Sequence, residues 1–244
     1  MEPAAMSADW DLMQIHVNAL YRHDERNRLL AVNEPGDPRP DDPLPPRFYL
    51  GRTREGLTWR FRHDLPESLV AELEAMLAAE PVASDLSRPP QCLTALQATL
   101  ARYGPLTGSW SGPAWQFPDE IPAPGHEVIP VMTENDHLVR LLSPVLTAND
   151  LPWRQPCLAL LDHGRLVSLC FSARNTPIAA EAGVDTREEF RGRGYAPAVV
   201  AAWAQIVRQE GRVPLYSTSW DNLASRSVAR KLGLILYGTD LSID

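Results

Sequence analysis

The segment Arg191-Gly192-Arg193-Gly194-Tyr195-Ala196 has the residue types and spacing that bind phosphate groups. Its two glycines permit backbone angles that other residues avoid, and they let a ligand approach the main chain closely. Pro197 follows at a position that is typical of the first turn of a helix. A helix start presents unpaired N–H groups and the positive end of the helix dipole, and here two arginines flank it. The segment therefore predicts a polyphosphate site.

The spacing separates the known kinds of phosphate loop. A nucleoside-triphosphate loop requires a Lys-Ser/Thr pair after its last glycine, where this chain has Tyr195 and Ala196. A dinucleotide loop requires Gly or Ala at the position of Pro197. The pattern that fits is Arg/Gln-x-x-Gly-x-Gly/Ala, through Arg191, Gly194 and Ala196. Arginine-glycine turns also occur on plain solvated surfaces, so the elements around the loop decide between the two interpretations.

The elements around this loop are predicted from hydrophobic periodicity. A strand over 179–186 leads into it, and the helix after it carries apolar residues at three- and four-residue spacing. A strand over 213–220 comes next, and Asp221-Asn222 then opens a second helix. Gly233 stands at the place of a helix C-cap, and 234–237 reads as a further strand. A hairpin is predicted upstream, with strands over 157–161 and 165–171.

This order of motifs resembles the GNAT superfamily of N-acetyltransferases, over about residues 157–244. The loop is similar to the acetyl-CoA pyrophosphate loop of that family. Asn222 and Lys231-Leu232-Gly233-Leu234 stand where the family has an Asn and a Lys-Leu-Gly-Phe. The resemblance implies an α/β fold of the α+β type, with a mixed, mostly antiparallel sheet flanked by helices and an additional N-terminal α/β region. It implies direct transfer of an acetyl group from acetyl-CoA to a primary amine of a small molecule or protein.

The resemblance also implies which residues bind acetyl-CoA. Main-chain N–H groups of the loop would hold the pyrophosphate, and two residues of the preceding strand would offer their backbone to the pantetheine arm. Arg191 and Arg193 would add charge, and two residues of the second helix region would reach the cofactor from the other side. The predicted binding residues are Val184, Thr186, Arg191, Gly192, Arg193, Gly194, Tyr195, Ala196, Asn222 and Ser225. No metal ligand is predicted.

Glu181 is the candidate general base, since an ordinary ammonium is not nucleophilic. It stands among small apolar residues, where burial would raise the pKa of a carboxyl group. At an exposed sheet edge it would be merely a charge. His163 falls in a hairpin turn and is less suited, whereas Asp185 alternates onto the face of Glu181 and could steer the amine.

The general acid is the clearest departure from the family pattern. Many relatives carry a Tyr seven positions after the Asn, and this chain has Ala229 there. Ser227 is the predicted replacement, with Ser225, Tyr216 and water as alternatives. The missing Tyr leaves a second hypothesis open, in which the domain is not catalytic and binds CoA or a protein partner in a regulatory role.

Composition and charge limit the classes of partner and the location that the sequence predicts. The 244 residues carry a net charge of −8, with 44% hydrophobic and 22% charged residues. This argues against nucleic acid as the partner and mildly favours a cationic amine substrate. The sequence contains no apolar run of membrane-spanning length. Three cysteines without paired spacing favour a reducing, cytoplasmic location. A homodimer is compatible with the sequence.

Three regions are predicted along the chain. Residues 1–46 would form a helix over 9–32 and a connector that holds six of the 23 prolines. Residues 47–126 would form an α/β region, which resembles a degenerate GNAT-like half. It has a hairpin around Arg54-Glu55-Gly56, helices near 66–80 and 91–103, and an irregular stretch over 105–125. Residues 127–244 would be the acetyltransferase domain.

Overall fold

The computed structural model describes residues 8–37, 42–140, 142, 146 and 149–244, and of Arg140 only the backbone. Residues 38–41 of the predicted proline-rich connector lie outside the described residues. Contacts divide the chain into two units. The first unit comprises Met1–Val32, Asp41–Ala114 and Leu236–Asp244, and the second comprises Asn33–Pro40 and Trp115–Ile235.

The helices and strands follow one another in this order: α1 (Asp9–Leu20), β1 (Tyr21–His23), β2 (Leu29–Val32), β3 (Phe48–Thr53), β4 (Leu57–Phe61), α2 (Glu67–Ala78), α3 (Leu93–Ala101), β5 (Ser109–Gln116), β6 (Val128–Pro130), α4 (His137–Arg140), β7 (Cys157–Asp162), β8 (Arg165–Asn175), β9 (Ala179–Thr186), α5 (Tyr195–Gln209), β10 (Val213–Ser217), α6 (Leu223–Lys231) and β11 (Ile235–Ile243). Short 3₁₀ helices occupy Thr133–Asn135, Leu151–Arg154 and Glu188–Phe190.

The first unit contains an antiparallel sheet in which β3 lies between β4 and β11. Phe48 pairs with Phe61 on one side and with Ile243 on the other. Leu69, Leu73 and Leu77 recur along α2 and are buried in the same core as these strands. The spacing of the three leucines gives α2 one apolar face, and burial of that face against the sheet stabilises the unit.

The first helix is shorter than its sequence predicts. The prediction of one helix over 9–32 is wrong, because α1 ends at Leu20 and the chain turns into a hairpin of β1 and β2. The Asp24 carboxylate accepts hydrogen bonds from the N–H groups of Arg26 and Arg28, both at 2.8 Å. Asn27 has a φ of 58°. Asp and Asn favour such turns because their side chains replace main-chain partners and Asn tolerates the left-handed region.

The second unit contains a sheet in the order β10-β9-β8-β7-β6. All of its pairs are antiparallel except the parallel pair of β9 and β10. Helices flank this sheet, and Val199, Val200 and Trp203 of α5 lie in the main core. The predicted fold class, a mixed and mostly antiparallel sheet flanked by helices, is confirmed.

The predicted hairpin of the second unit is confirmed, with β7 and β8 joined by a tight turn. His163 and Gly164 have φ values of 48° and 74°. Two successive positive φ values match the twist of paired strands, which is why Gly is favoured in such turns. The strand predicted over 179–186 is confirmed as β9.

The prediction of an irregular stretch over 105–125 is wrong in part, because β5 lies within it. Gly112 and Pro113 interrupt the strand pattern in the sequence. The region boundaries predicted at 46/47 and 126/127 stay predictions, since grouping by contact does not show which segments fold alone. Within the described residues, no helix is both long and apolar enough to cross a bilayer.

Candidate functional site

The parallel strands β9 and β10 separate partway along their length. Their pairing runs from Val213 and Ala179 to Leu215 and Glu181, while β9 continues to Thr186. The N–H group of Val213 donates to the Ile178 carbonyl at 2.9 Å, so the main chain of residue 178 faces β10. Alternate residues of a strand face the same neighbour. The backbone groups of residues 184 and 186 therefore face the gap, where β10 no longer pairs with them.

A cavity of about 650 Å³ lies at this gap. It is lined by the end of β9, the loop before α5, the start of α5, the end of β10 and one side of α6. The lining residues are Ala182, Val184, Asp185, Thr186, Phe190, Arg191, Gly192, Gly194, Tyr195, Ala196, Pro197, Tyr216, Ser217, Thr218, Asn222, Ala224, Ser225, Ser227, Val228 and Lys231.

The loop before α5 requires its two glycines. Gly192 and Gly194 have φ values of 82° and 90°, a region that L side chains rarely adopt. A Cβ atom at either position would meet no heavy atom within 4 Å, and both residues line the cavity. The helix begins at Tyr195, and its first N–H groups have no partner within the helix. The loop and helix start therefore offer main-chain donors to an anion in the cavity.

The two arginines of the loop lie in different surroundings. Arg191 lines the cavity, and its Nε donates to the Thr186 carbonyl at 3.3 Å. The guanidinium of Arg193 is 5.0 Å from the ring centre of Phe190, and its Nη2 donates to the Glu189 carbonyl at 3.2 Å. Arg193 is not among the lining residues. Of the two predicted side chains, the structure brings only Arg191 to the cavity wall.

Tyr195 joins the helix start to the hairpin of β7 and β8. Its hydroxyl donates to Oδ2 of Asp162 at 2.9 Å, and this hydrogen bond raises the pKa of Tyr195 above its ordinary value. The Tyr195 ring also meets the edge of the His126 ring, with 5.2 Å between ring centres. These contacts fix the first residue of α5 beside the loop.

The second predicted binding element is the start of α6. Oδ1 of Asn222 accepts a hydrogen bond from the Ser225 N–H at 3.0 Å, so this oxygen caps the helix. Oγ of Ser225 lies 2.7 Å from the Tyr216 hydroxyl, and all three residues line the cavity. Tyr216 is buried, and burial raises the pKa of its hydroxyl, which stays neutral near pH 7.

The catalytic candidates Ser227 and Glu181 lie in different places. Ser227 lines the cavity, and its Oγ accepts a contact of 3.4 Å from Nη2 of Arg230. Glu181 is only 7% exposed and is not among the lining residues. Its Oε1 accepts a short hydrogen bond from Oγ of Ser217, which does line the cavity. Ser217 thus connects the predicted base to the cavity.

Other predicted positions are also placed by the structure. Asp185 lines the cavity, whereas Glu181 does not. The His163 side chain is 97% exposed in its turn, and His163 is not among the lining residues. Ala229, where relatives carry Tyr, is buried in the core together with Tyr216 and Val228.

Sequence reasoning did not select Ser217, Thr218, Phe190 or Lys231 as site residues, although all four line the cavity. Lys231 could have been selected from the sequence, because it belongs to the Lys231-Leu232-Gly233-Leu234 motif. Ser217 and Thr218 end a predicted strand, and only the register of that strand against β9 brings them to the gap.

Two of the three cysteines, Cys157 and Cys170, lie in β7 and β8. Burial raises the pKa of Cys157 to about 12, and Cys170 is fully buried with a pKa also raised by burial. Buried thiols of this kind are inert. Among the residues that the structure describes, no group of three or more His, Cys, Asp or Glu side chains could hold a metal ion.

Residues 157–239 match the family model of the GNAT acetyltransferases, which covers about a third of the chain. The match runs from the start of β7 to the middle of β11 and includes the loop, the gap and α6. It confirms the resemblance to this family over these residues.

Several solved structures are similar to this chain. A GCN5-related N-acetyltransferase-like protein from Streptococcus suis is 18% identical, with a TM-score of 0.48, and the match covers 97% of this chain and 100% of that one. A GCN5-related N-acetyltransferase from Kribbella flavida is 14% identical, with a TM-score of 0.48 and coverages of 98% and 96%. A GNAT-family protein from Novosphingobium aromaticivorans is 17% identical, with a TM-score of 0.46; the match covers 57% of this chain and 65% of that one, just under two thirds.

A comparison with curated proteins gave no significant match. The family match therefore concerns residues 157–239 alone.

Proposed function

We propose that the protein is an acetyl-CoA-dependent N-acetyltransferase that transfers an acetyl group directly to a primary amine of a small molecule or protein. One observation carries this proposal. The cavity opens between separating strands, and its wall includes two glycines with positive φ at the start of α5. A helix start that offers main-chain donors, beside a strand edge that β10 no longer pairs with, suits a ligand with a pyrophosphate and an extended amide-bearing arm.

The residues present fit acetyl-CoA. The N–H groups of Gly192, Arg193, Gly194, Tyr195 and Ala196 would hold the pyrophosphate, with Arg191 adding charge from the cavity wall. The backbone groups of Val184 and Thr186 would pair with the amides of the arm, as β10 does further back on β9. Ser225 and the side-chain amide of Asn222 would line the opposite wall. When bound, acetyl-CoA supplies the activated acetyl group.

Glu181 is the proposed general base for the amine. Its burial and its hydrogen bond from Ser217 hold the carboxylate in one place behind the cavity wall. Asp185 lines the cavity on the same face of β9 and would attract a cationic amine. Binding both reactants in one site lets the chain orient the nitrogen toward the acetyl carbon, which lowers the entropic part of the barrier.

Two groups could assist the leaving thiolate. Ser227 is the predicted residue and lines the cavity. The pair of Tyr216 and Ser225 is a second group, and it is held by a hydrogen bond of 2.7 Å. Because burial raises the pKa of Tyr216, this phenol would stabilise the thiolate by donating a hydrogen bond rather than by losing its proton. The charge of −8 and the reduced cysteines support a cationic acceptor and a cytoplasmic location.

The enzyme proposal is tested by thiol release from acetyl-CoA with methylamine, ethanolamine, spermidine, glycine ethyl ester and polylysine as acceptors. We expect turnover with at least one amine. Glu181→Gln should bind acetyl-CoA as the native chain does and lose at least about 100-fold in kcat near pH 7, the lower end of general-base effects. Unchanged turnover would remove Glu181 from the mechanism. Binding of acetyl-CoA without turnover on any amine would instead favour the regulatory, non-catalytic alternative.

A further inference from the structure

We propose that Ser217 relays the proton between the acceptor amine and Glu181, so that the base acts through a serine hydroxyl. This inference rests on the proposed function. Glu181 does not line the cavity, whereas Ser217 does, and the Ser217 hydroxyl donates to Glu181 Oε1. An amine in the cavity would therefore meet the hydroxyl before the carboxylate.

The two faces of β9 explain this arrangement. Ala182 and Val184 pack against the core that holds α5 and Tyr216 of β10. Side chains alternate along a strand, so Glu181 and Asp185 point to the opposite face. On β10, Leu215 is the register partner of Glu181, and Ser217 follows on the same face.

The cavity is lined from both faces of the sheet. Val184 and Tyr216 line it from the face of α5, and Asp185 and Ser217 line it from the other. The gap between β9 and β10 thus connects the two faces, and Ser217 stands at the exit on the face of Glu181. A thioester held on the α5 side would meet an amine from the opposite side at this exit.

The strands on either side of Glu181 place charged and polar residues around it. Arg174 of β8 is its register partner, and the Arg174 guanidinium is held 3.1 Å from Oε1 of Glu34. Asp185 is the other ionisable group on the same face of β9, while β10 presents Leu215 and Ser217 there. Among these neighbours, Ser217 is the one that both touches the Glu181 carboxylate and lines the cavity.

The relay balances in protons and electrons. The ammonium gives one proton to Oγ of Ser217 while the Ser217 proton moves to Oε1 of Glu181, so the serine ends neutral. The nitrogen lone pair then forms the C–N bond with the acetyl carbon. The C–S bond breaks with its electron pair on sulfur, and the second nitrogen proton ends on that sulfur. Glu181 later returns its proton to water.

The test uses the full chain and the amine with the highest turnover in the thiol-release panel. Ser217→Ala should bind acetyl-CoA with unchanged affinity by calorimetry and lose at least about 20-fold in kcat/KM at pH 7. The loss should shrink as the pH approaches the pKa of the amine, about 10, because the free amine then needs no base. Ser217→Thr, which keeps a hydroxyl, should stay within about 5-fold of the native chain.

A double variant at Ser217 and Glu181 and a control variant at Ser219 complete the experiment. Ser217→Ala combined with Glu181→Gln should be no slower than Glu181→Gln alone, since two groups that act in series lose their effect together. Ser219→Ala is the control, because Ser219 does not line the cavity. A Ser217→Ala loss that is equal at pH 7 and pH 10, or that adds fully to the Glu181→Gln loss, would overturn the relay. Absence of acetyl-CoA binding to the native chain would instead overturn the proposed function.

Discussion

The two units differ in where the polar side chains beside a pair of strands lie: in one they are buried in the core, and in the other they line a cavity. In the first unit, β11 pairs with β3 without interruption from Gly238 to Ile243. The polar groups beside it are buried and bonded to one another: the Tyr49 hydroxyl donates to Asp240 at 2.7 Å, and the Tyr237 hydroxyl lies 2.7 Å from Nδ1 of His16. In the second unit, β9 and β10 part after Glu181, and polar groups there face a cavity.

The difference indicates that an interruption in strand pairing can create a ligand site in a sheet. Continuous pairing satisfies the backbone and closes the core, so the buried polar side chains beside β11 find their partners within that core. Interrupted pairing leaves main-chain donors and acceptors for a ligand. Ser217 and Glu181 lie where pairing stops, and Tyr49 and Asp240 lie where it continues. We therefore expect changes in the first network to affect stability and changes at the gap to affect chemistry.

The largest expected effect on stability is that of Asp240→Ala. Asp240 is 2% exposed, accepts from Tyr49 and lies 3.6 Å from Nε2 of His16, so its loss takes a partner from two buried groups. We expect a loss of about 3 kcal/mol in the free energy of unfolding, measured by urea denaturation. The folded variant should bind acetyl-CoA with native affinity.

Asp244→Ala is the matched control for this prediction. Asp244 ends the same segment, its side chain is 51% exposed, and it lies 3.8 Å from Arg62. An exposed ion pair of this kind contributes less than about 1 kcal/mol. Equal losses of stability in the two variants would contradict the assignment of Asp240 to a stabilising network.

A smaller effect, on turnover, is expected from Tyr216→Phe. The change removes the hydroxyl that lies 2.7 Å from Ser225 Oγ and keeps the buried ring. Loss of a hydrogen bond to a developing thiolate costs about 1.5 kcal/mol, which is roughly tenfold in kcat. Acetyl-CoA affinity should stay unchanged by calorimetry. Ser227→Ala is the companion variant: if it lowers kcat and Tyr216→Phe does not, Ser227 is the donor to the thiolate.

The glycine loop before α5 and the hairpin of β7 and β8 could be predicted because their signals are local. Gly192 and Gly194 are required by positive φ values, and His163-Gly164 form a two-residue turn. The helix start at Asn222 also follows from the preference of that residue for capping. Each of these features depends on residues that are neighbours in the sequence.

The remaining features depend on how one segment of the chain pairs with another. The apolar residues 29–31 fit a helix and a strand equally well, and only the turn at Asp24 decides between them. The pairing of Ser217 with Glu181 depends on the register of β10 against β9, which no local pattern encodes. Local patterns thus selected the loop before α5 and Glu181 as candidates and did not select Ser217, which lies between Glu181 and the cavity.

The central claim is that the loop before α5 holds the pyrophosphate of acetyl-CoA, and titration calorimetry with acetyl-CoA tests it most directly. Gly194→Asp would place a carboxylate at the anion site, whereas Gly211→Asp places one after the other end of α5, where φ is 76° and no heavy atom lies within 4 Å of a Cβ. We expect binding to the native chain, a loss of at least about 100-fold in Gly194→Asp, and a change within about threefold in Gly211→Asp. Native affinity in Gly194→Asp, or no binding to a folded native chain, would contradict the claim.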